Sequence, residues 1–228
     1  MNHLPLNRLL RIGLLYLCVH SDAFAQGGFL GIGGSEQTPS LTLAPAKIAV
    51  DVPTPVQGNN LALLLAQAGS GNSLSALKEE AAQKFSAQLR RELHSALEKF
   101  FADEEVPLAQ QGGQLLLHSA VDISISKQLR DLKNAEKYEL ERGTLELSGD
   151  FHYRLESAAG ANLRERRIDI ADLRVREKYQ VKTPHGGGEA EDSTDQAIEA
   201  ALVEMVRRLV DRIEDQLEAE QLRELAAL

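Results

Sequence analysis

The 228-residue chain contains no tryptophan, only one cysteine and only 4% aromatic residues. Few aromatic rings means few platforms on which a base or a sugar ring could stack. Basic residues are also in the minority, with 25 Lys and Arg against 34 Asp and Glu and a formal net charge of −9. Nucleic-acid binders obtain much of their affinity from a basic surface that neutralises phosphates. We therefore predict no nucleic-acid partner.

Long hydrophobic runs are also absent, and the first short one lies at the N-terminus. Residues 12–19 are apolar, Arg8 and Arg11 precede them, and the sequence Ala23-Phe24-Ala25 follows. The run is shorter than the roughly 20 residues that span a bilayer. A basic start, a short apolar core and an A-x-A site are typical of a secretory signal peptide. We predict cleavage after Ala25 and an exported, periplasmic or outer-membrane-associated protein.

The single cysteine, Cys18, lies inside this predicted signal peptide. Cleavage after Ala25 would leave a mature chain without disulfides, thiol catalysis or thiolate metal sites. The alternative is a lipoprotein signal, in which Cys18 would be lipidated. Leu15 fits that pattern, but Tyr16 and Leu17 stand where small residues belong, so we favour plain cleavage.

The remaining chain divides into three predicted parts. Residues 26–44 are rich in glycine and proline, which is typical of a flexible lead-in. Residues 45–217 have the length and patterning of a single α+β domain. Residues 218–228 continue an apolar stripe more weakly, and we expect them to form a helical tail that projects or packs on another subunit.

Apolar periodicity predicts six elements within the domain. The first two are a strand at 46–52 and a helix at 73–103 with Ser73 as its N-cap. Strands at 114–125 and 145–156 follow, separated by a polar connector at 128–137. A turn at 158–162 leads into a return strand at 163–181, and a final helix ends the domain. In the return strand the apolar positions change from even to odd numbers, which predicts a bulge or bend near Ala171. A capping box formed by Ser193 and Gln196 predicts where the final helix begins.

This order predicts an α+β fold in which two long amphipathic helices cover one face of an antiparallel-rich sheet, in the order β-α-β-β-β-α. Between residues 145 and 156 the apolar side chains are odd-numbered and the polar ones even-numbered. One face of the sheet is therefore expected to be buried and the other wet, as antiparallel sheets allow.

Two segments carry a resemblance to known bacterial envelope modules. They are Lys47-Ile48-Ala49-Val50 in the first strand and the alanine-rich opening of the final helix at residues 197–202. Over residues 45–217 the chain resembles the curli-secretion and holdfast-anchor lipoproteins, the N-terminal domain of the Tol-system translocation protein, and the small lipoproteins of lipopolysaccharide assembly and lipid transport. The resemblance implies a non-catalytic role in assembling or spanning the cell envelope. Unlike the lipoprotein members, this chain has no proper lipobox.

Charge is distributed unevenly along the C-terminal half. Seven basic residues between 163 and 183 form the candidate binding strip, namely Arg164, Arg166, Arg167, Arg174, Arg176, Lys178 and Lys182, whereas residues 189–224 are strongly acidic. A solvated strand beside a solvated helix would explain this pattern. Alternatively, the strip contacts the acidic helix of a second copy, another envelope or outer-membrane protein, or an anionic envelope polymer or lipid. Exposed strand edges additionally favour binding by strand addition.

Catalytic patterns are few. His118, Asp122, Asp150 and His152 share one predicted sheet face and could together hold a divalent metal. Such residues are also common on any exposed sheet face, and the sequence contains neither a G-x-S-x-G elbow nor an H-E-x-x-H motif. We therefore expect a protein that is not an enzyme and has no cofactor, an accessory protein of envelope or surface-structure assembly acting through protein–protein contacts. The alternative is a periplasmic carrier of a lipid-like or anionic ligand held between the helices and the sheet.

Overall fold

A computed structural model describes residues 37–53 and 74–227. These residues belong to one compact unit that spans Glu36–Leu228. The predicted signal peptide at 1–25, Cys18, the first part of the predicted lead-in and the predicted cap Ser73 lie outside the described residues.

The described residues form one mixed sheet of seven strands. The strands are β1 (Leu41–Leu43), β2 (Lys47–Asp51), β3 (Leu115–Asn134), β4 (Tyr138–Ser157), β5 (Asn162–Asp169), β6 (Arg176–Pro184) and β7 (Glu191–Asp192). The order across the sheet is β1-β3-β4-β6-β7, with β2 also pairing with β3 and β5 also pairing with β4. Three α-helices accompany the sheet in this part of the chain, α1 (Leu74–Asp103), α2 (Thr194–Leu217) and α3 (Ala219–Ala226).

A long antiparallel hairpin, β3 with β4, forms the centre of the sheet. Each strand has 20 residues, and the pairing runs from Leu115 opposite Ser157 to Asn134 opposite Glu139. The predicted polar connector at 128–137 is wrong, because only residues 135–137 form the turn. The distal half of β3 is exposed on both faces, so its sequence has no apolar alternation to mark it as a strand.

The sheet is not purely antiparallel, because β1 and β2 both run parallel to β3. The predicted first strand corresponds to β2, whereas β1 falls inside the predicted flexible lead-in. Leu41 of β1 is fully buried, so the end of that lead-in belongs to the hydrophobic core. Three residues bounded by Pro39 and Pro45 are too short a segment for a period-two pattern to show.

The long helices α1 and α2 cover one face of the sheet, as predicted. Leu89 and Leu93 of α1 and Leu209 of α2 are at most 1% exposed, as are Leu145 and Leu155 of β4. The even-numbered side chains of β4 point to the opposite face, which we call the outer face. None of the helices in the described ranges has the length and apolarity needed to cross a membrane.

The predicted bend in the return strand is confirmed. A short 3₁₀ helix, Ile170–Leu173, separates β5 from β6 and absorbs the change of phase. Asp169 Oδ1 accepts a hydrogen bond of 2.8 Å from the Ala171 backbone N–H, which caps the turn. Arg174 ends it in the left-handed conformation with φ 52°. The turn lets Ile168 and Leu173 both face the core although their numbers differ in parity.

The final helix begins where predicted, with Ser193 at the N-cap position, but the capping box does not form. Ser193 Oγ makes no cap hydrogen bond and instead accepts from the Gln180 N–H at 2.9 Å. The helix also breaks at Glu218, whose backbone is extended, so α3 turns away from the direction of α2. Leu222 of α3 is fully buried, and the Ala219 N–H donates to Glu104 Oε2 at 3.2 Å. Residues 219–226 therefore pack on their own domain rather than projecting from it.

Candidate interaction surface

The four residues considered for a metal site all lie on the outer face. Asp122 is directly opposite Asp150, whereas His152 is opposite Ala120 and His118 is opposite Arg154. Each histidine has its own carboxylate, with His152 Nε2 2.7 Å from Glu165 Oε1 and His118 Nε2 3.1 Å from Glu156 Oε2. In the described part of the chain, no three metal-ligating side chains come together.

Two outer-face carboxylates, Asp150 and Glu165, are hydrogen-bonded by neighbouring side chains. The Arg167 guanidinium makes two hydrogen bonds of 2.6 Å to Asp150, which hold the pKa of that carboxyl below its usual range. The hydrogen bonds from His152 and Asn162 lower the pKa of Glu165. The cluster is thus a set of ion pairs and hydrogen bonds across strands, which stabilises a wet sheet surface.

The seven basic residues of the predicted strip are divided between the two faces of the sheet. Arg164 and Arg166 are opposite Leu155 and Tyr153, so they lie on the helix side. Arg164 donates to the Gln216 carbonyl at the end of α2, where a cation is favourable for the helix dipole. Both arginines have even numbers, as the outward-facing basic residues of β6 do, so odd or even position alone does not separate the two groups. The 3₁₀ turn reverses which positions face the helices between β5 and β6.

The other five basic residues face outward, and three of them are paired. Arg167 binds Asp150, Arg176 lies 3.1 Å from Glu146, and Lys182 lies 3.1 Å from Glu191. Arg174 and Lys178 are exposed. Of these five residues, Arg176, Lys178 and Lys182 lie along β6, beside the distal half of the central hairpin, whereas Arg167 lies on β5.

A more distinctive surface lies at the distal half of β3. The strand β2 pairs only with Ala120–Ser124 of β3, so residues 125–134 have β4 on one side and, among the described residues, no strand on the other. We call this stretch the distal edge. Leu129 and Leu132 of the distal edge are 57% and 53% exposed, which makes them the most exposed large hydrophobic side chains in the described structure.

A β-bulge at Arg130 aligns these two leucines. Leu129 is opposite Gly143, and after the bulge Leu132 is opposite Glu141. Residues three apart on a regular strand point to opposite faces, but the extra residue brings both leucines to the helix side. Sequence periodicity could not reveal the pair, because a period of two fails at a bulge.

A polar cluster forms the floor beneath the leucines. Lys127 Nζ lies 3.1 Å from Glu141 Oε1 and 4.3 Å from the centre of the Tyr179 ring. The Tyr179 hydroxyl donates to Glu141 at 2.7 Å, and burial together with this carboxylate raises the pKa of Tyr179. Val52, Ile125 and these groups border a groove of about 670 Å³ that runs below the distal edge.

The outer face of the same hairpin half is mainly basic. Arg142 is exposed on β4, and Arg176, Lys178 and Lys182 follow on β6. The Arg142 Nε donates to Gln180 Oε1 at 3.2 Å, so this guanidinium has a neutral partner. An extended segment placed along the distal edge would therefore contact the leucines on the helix side. On the outer side it would neighbour Gln128, Asp131 and Lys133 of β3, with the cations of β4 and β6 one and two strands further away.

Comparison with known proteins gives no family. No family model and no curated protein matches the chain. Among solved structures, it is similar to a neuraminyllactose-binding hemagglutinin homolog from Helicobacter pylori, with 12% identity, a TM-score of 0.45, and coverage of 87% of this chain and 97% of that chain. A minor lipoprotein from Acinetobacter baumannii matches with 12% identity, a TM-score of 0.32, and coverage of 81% and 95%. A lipoprotein from Caulobacter crescentus matches with 18% identity, a TM-score of 0.28, and coverage of 60% and 85%.

Proposed function

We propose that this chain is a non-catalytic accessory protein, exported to the periplasm or the outer membrane, that binds an extended segment of an envelope protein along the distal edge of β3. The observation that carries this proposal is the stretch of β3 that has no second neighbouring strand among the described residues, with Leu129 and Leu132 exposed on one face. Envelope or surface-structure assembly is the process in which such contacts would act.

The backbone of the distal edge supplies the binding energy in this proposal. An edge strand presents unpaired N–H and C=O groups, and an extended peptide can satisfy them by adding a strand. Natural proteins usually protect such edges with charges, prolines or short strands. This edge has charged residues and a bulge as well, but two of its leucines are more than half exposed, which is typical of a surface that another chain covers.

The side chains set the chemistry of the proposed partner. The leucines favour apolar residues on the helix side of the added strand. On its outer side, Lys133 of the edge itself and Arg142 of the next strand favour acidic residues. A segment in which apolar and acidic residues alternate satisfies both faces. In this proposal Arg174, Arg176, Lys178 and Lys182 attract the segment, whereas Arg164 and Arg166 stabilise the domain.

A designed peptide tests the site directly. We expect a labelled eight-residue peptide of alternating valine and glutamate to bind the mature chain, and a valine–lysine peptide to bind at least about tenfold more weakly. The substitution Leu132→Lys should weaken binding of the acidic peptide by about tenfold or more, as measured by fluorescence anisotropy. The matched control is Val203→Lys, because Val203 is 47% exposed on α2, away from the distal edge.

Photo-crosslinking in the source cells tests the partner. With p-benzoylphenylalanine in place of Leu132, we expect an adduct with another envelope protein whose crosslinked segment alternates apolar and acidic residues. The same amino acid in place of Val203 should give no such adduct. An adduct of two copies of this chain would assign the surface to self-association, and equal yields from both positions would remove the proposal.

A further inference from the structure

A second cavity lies on the helix side, at the opposite end of β3. The strand β1 ends at Leu43 and β2 begins at Lys47, so the connector at 44–46 interrupts the regular pairing with β3. Its first residue still bonds to β3, since the Ala44 N–H donates to the Leu117 carbonyl at 2.9 Å. Between this connector and α1 is a cavity of about 360 Å³. Its apolar walls are formed by Leu43, Leu93, Leu97 and Leu117. The volume lies within the range of small-molecule sites, near its lower end.

One polar group lies within these walls. Ser119 lines the cavity on the core face of β3, and its residue is only 7% exposed. Its hydroxyl makes no hydrogen bond to any other side chain or backbone group in the described ranges. The hydroxyl faces the cavity, where a polar group of a guest could hydrogen-bond to it.

The mouth of the cavity is cationic. Three residues from two successive turns of α1 border it, namely Arg90, Arg91 and His94. Arg90 Nε lies 3.5 Å from the Ala46 carbonyl, and His94 Nε2 lies 3.2 Å from Glu98. Within the described chain, no carboxylate lies at ion-pair distance from either arginine. On the outer face, by contrast, Arg167 and Arg176 each bind a carboxylate.

From this arrangement we infer that the cavity is a binding site for a single-chain anionic amphiphile, such as a fatty acid. The acyl chain would lie between Leu93, Leu97 and Leu117, and the anionic head group would contact Arg90 and Arg91 at the mouth. The volume fits one chain of medium length rather than a two-chain phospholipid. These residues would bind the ligand if the protein is a carrier, the alternative function that the sequence suggests. The site does not depend on docking at the distal edge.

Calorimetry with dodecanoate tests the site on the full mature chain. We expect saturable binding at one site, and binding of the neutral analogue dodecanol at least about tenfold more weakly, because it lacks the anion. Lysophosphatidylglycerol is a parallel probe that distinguishes a lipid head group from a free carboxylate. Binding of either anionic probe supports the shared chemistry, and binding of neither overturns the inference.

Two variants and one control locate the binding. Arg90→Ala combined with Arg91→Ala should weaken dodecanoate binding at least about tenfold without affecting the fold, since both side chains are exposed. Ser119→Leu should abolish binding by filling the cavity, and its circular dichroism reports whether the domain is folded. Arg212→Ala, an exposed arginine on α2, should bind as the wild type does. Equal affinity in the double variant and the wild type would mean that dodecanoate binds elsewhere and would overturn the site.

Discussion

Two glycines of the central hairpin lie where a side chain would collide with a neighbouring strand. Gly149 has φ +124°, and a Cβ there would lie 2.1 Å from the Asp122 carbonyl oxygen. At Gly143 the space of a Cβ is filled by the Tyr179 ring, at 2.5 Å. Gly143 therefore allows Tyr179 to lie flat enough on β4 to reach Glu141, and Gly149 allows β3 and β4 to approach closely.

We expect Gly149→Ala to lower the free energy of unfolding by about 2–3 kcal/mol, because it adds both backbone strain and a collision. Urea denaturation measures the change. Gly160→Ala is the control, since Gly160 also has positive φ, +81°, but has open space around it. Its expected loss is about 1 kcal/mol. Equal losses in the two variants would show that the close approach to Asp122 has no effect.

Ser193 illustrates how a sequence motif can name the right residue for the wrong role. Its spacing to Gln196 predicts a capping box, but its hydroxyl accepts from the Gln180 N–H at 2.9 Å and donates to the Gln180 carbonyl at 3.2 Å. The first N–H of α2 is bound instead by Asp192, the residue before the cap position, whose Oδ1 accepts from the Thr194 N–H at 2.7 Å. Local sequence could not reveal this, because the competing partner is on β6.

We expect Ser193→Ala and Asp192→Ala to have separable effects. Asp192→Ala should lower stability by about 1 kcal/mol by removing a helix cap. Ser193→Ala should lower it by a similar amount, about 1 kcal/mol, by leaving Gln180 groups unpaired. Hydrogen exchange tells the two apart, since only Ser193→Ala should speed exchange of the Gln180 amide. Unchanged exchange at that amide would contradict the assigned role of Ser193.

At the scale of whole elements, α2 is fixed to the sheet by a charged cluster on its exposed side. Glu204 accepts hydrogen bonds from Arg207 and Arg208, and these lower the pKa of Glu204 to about 2. Arg208 also donates to the Leu173 carbonyl at 2.6 Å. The carboxylate thus holds in place the arginine that joins α2 to the 3₁₀ turn.

The lowered pKa of Glu204 predicts that the folded protein loses stability in acid. In the unfolded chain Glu204 titrates near 4.5, so between about pH 4.5 and pH 2 the unfolded state binds the extra proton and stability falls as pH falls. Glu204→Gln should therefore be less stable than the wild type at pH 7, with the difference shrinking towards pH 2. Urea midpoints at pH 7, 4 and 2.5 measure it, and a difference independent of pH would contradict the pairing.

Elements with one buried and one wet face could be predicted from the sequence, whereas those without such a contrast could not. The long helices, β4 and the bend near Ala171 follow from apolar periodicity and its change of phase. The distal half of β3 and the short strand β1 do not, because the first is exposed on both faces and the second has three residues. The distal edge was missed for the same reason, and the bulge at Arg130 further concealed Leu129 and Leu132.

At the scale of the whole molecule, the sheet separates a charged outer face from a core closed by the helices. The predicted metal residues and the basic residues of β6 could be placed on the outer face from their odd or even positions. Their contacts could not be predicted from the sequence, because partners such as Glu165 and Glu191 come from other strands. The run of basic residues also placed Arg164 and Arg166 in the strip, although both lie on the helix side.

Export is the whole-molecule prediction that a single mass measurement can check. We expect the protein purified from the envelope fraction to begin at Gln26, after loss of residues 1–25. Replacing Ala25 with arginine should block processing and leave the unprocessed chain, because the cleavage site requires a small residue. A lipid-modified chain beginning at Cys18 would instead establish the lipoprotein alternative, and an unprocessed wild-type chain in the cytosol would refute export.

The parallel pairing of β1 and β2 with β3 has a consequence for the order of folding. Leu41 must find Leu115, and Ile48 must find Val121, across the whole of α1. Contacts between distant residues form late, because a long loop must close first. Hairpin β3–β4 can form locally, so it provides the template on which β1 and β2 assemble. If the chain is exported N-terminus first, the earliest strands to emerge must wait unpaired until nearly half of the domain has followed them.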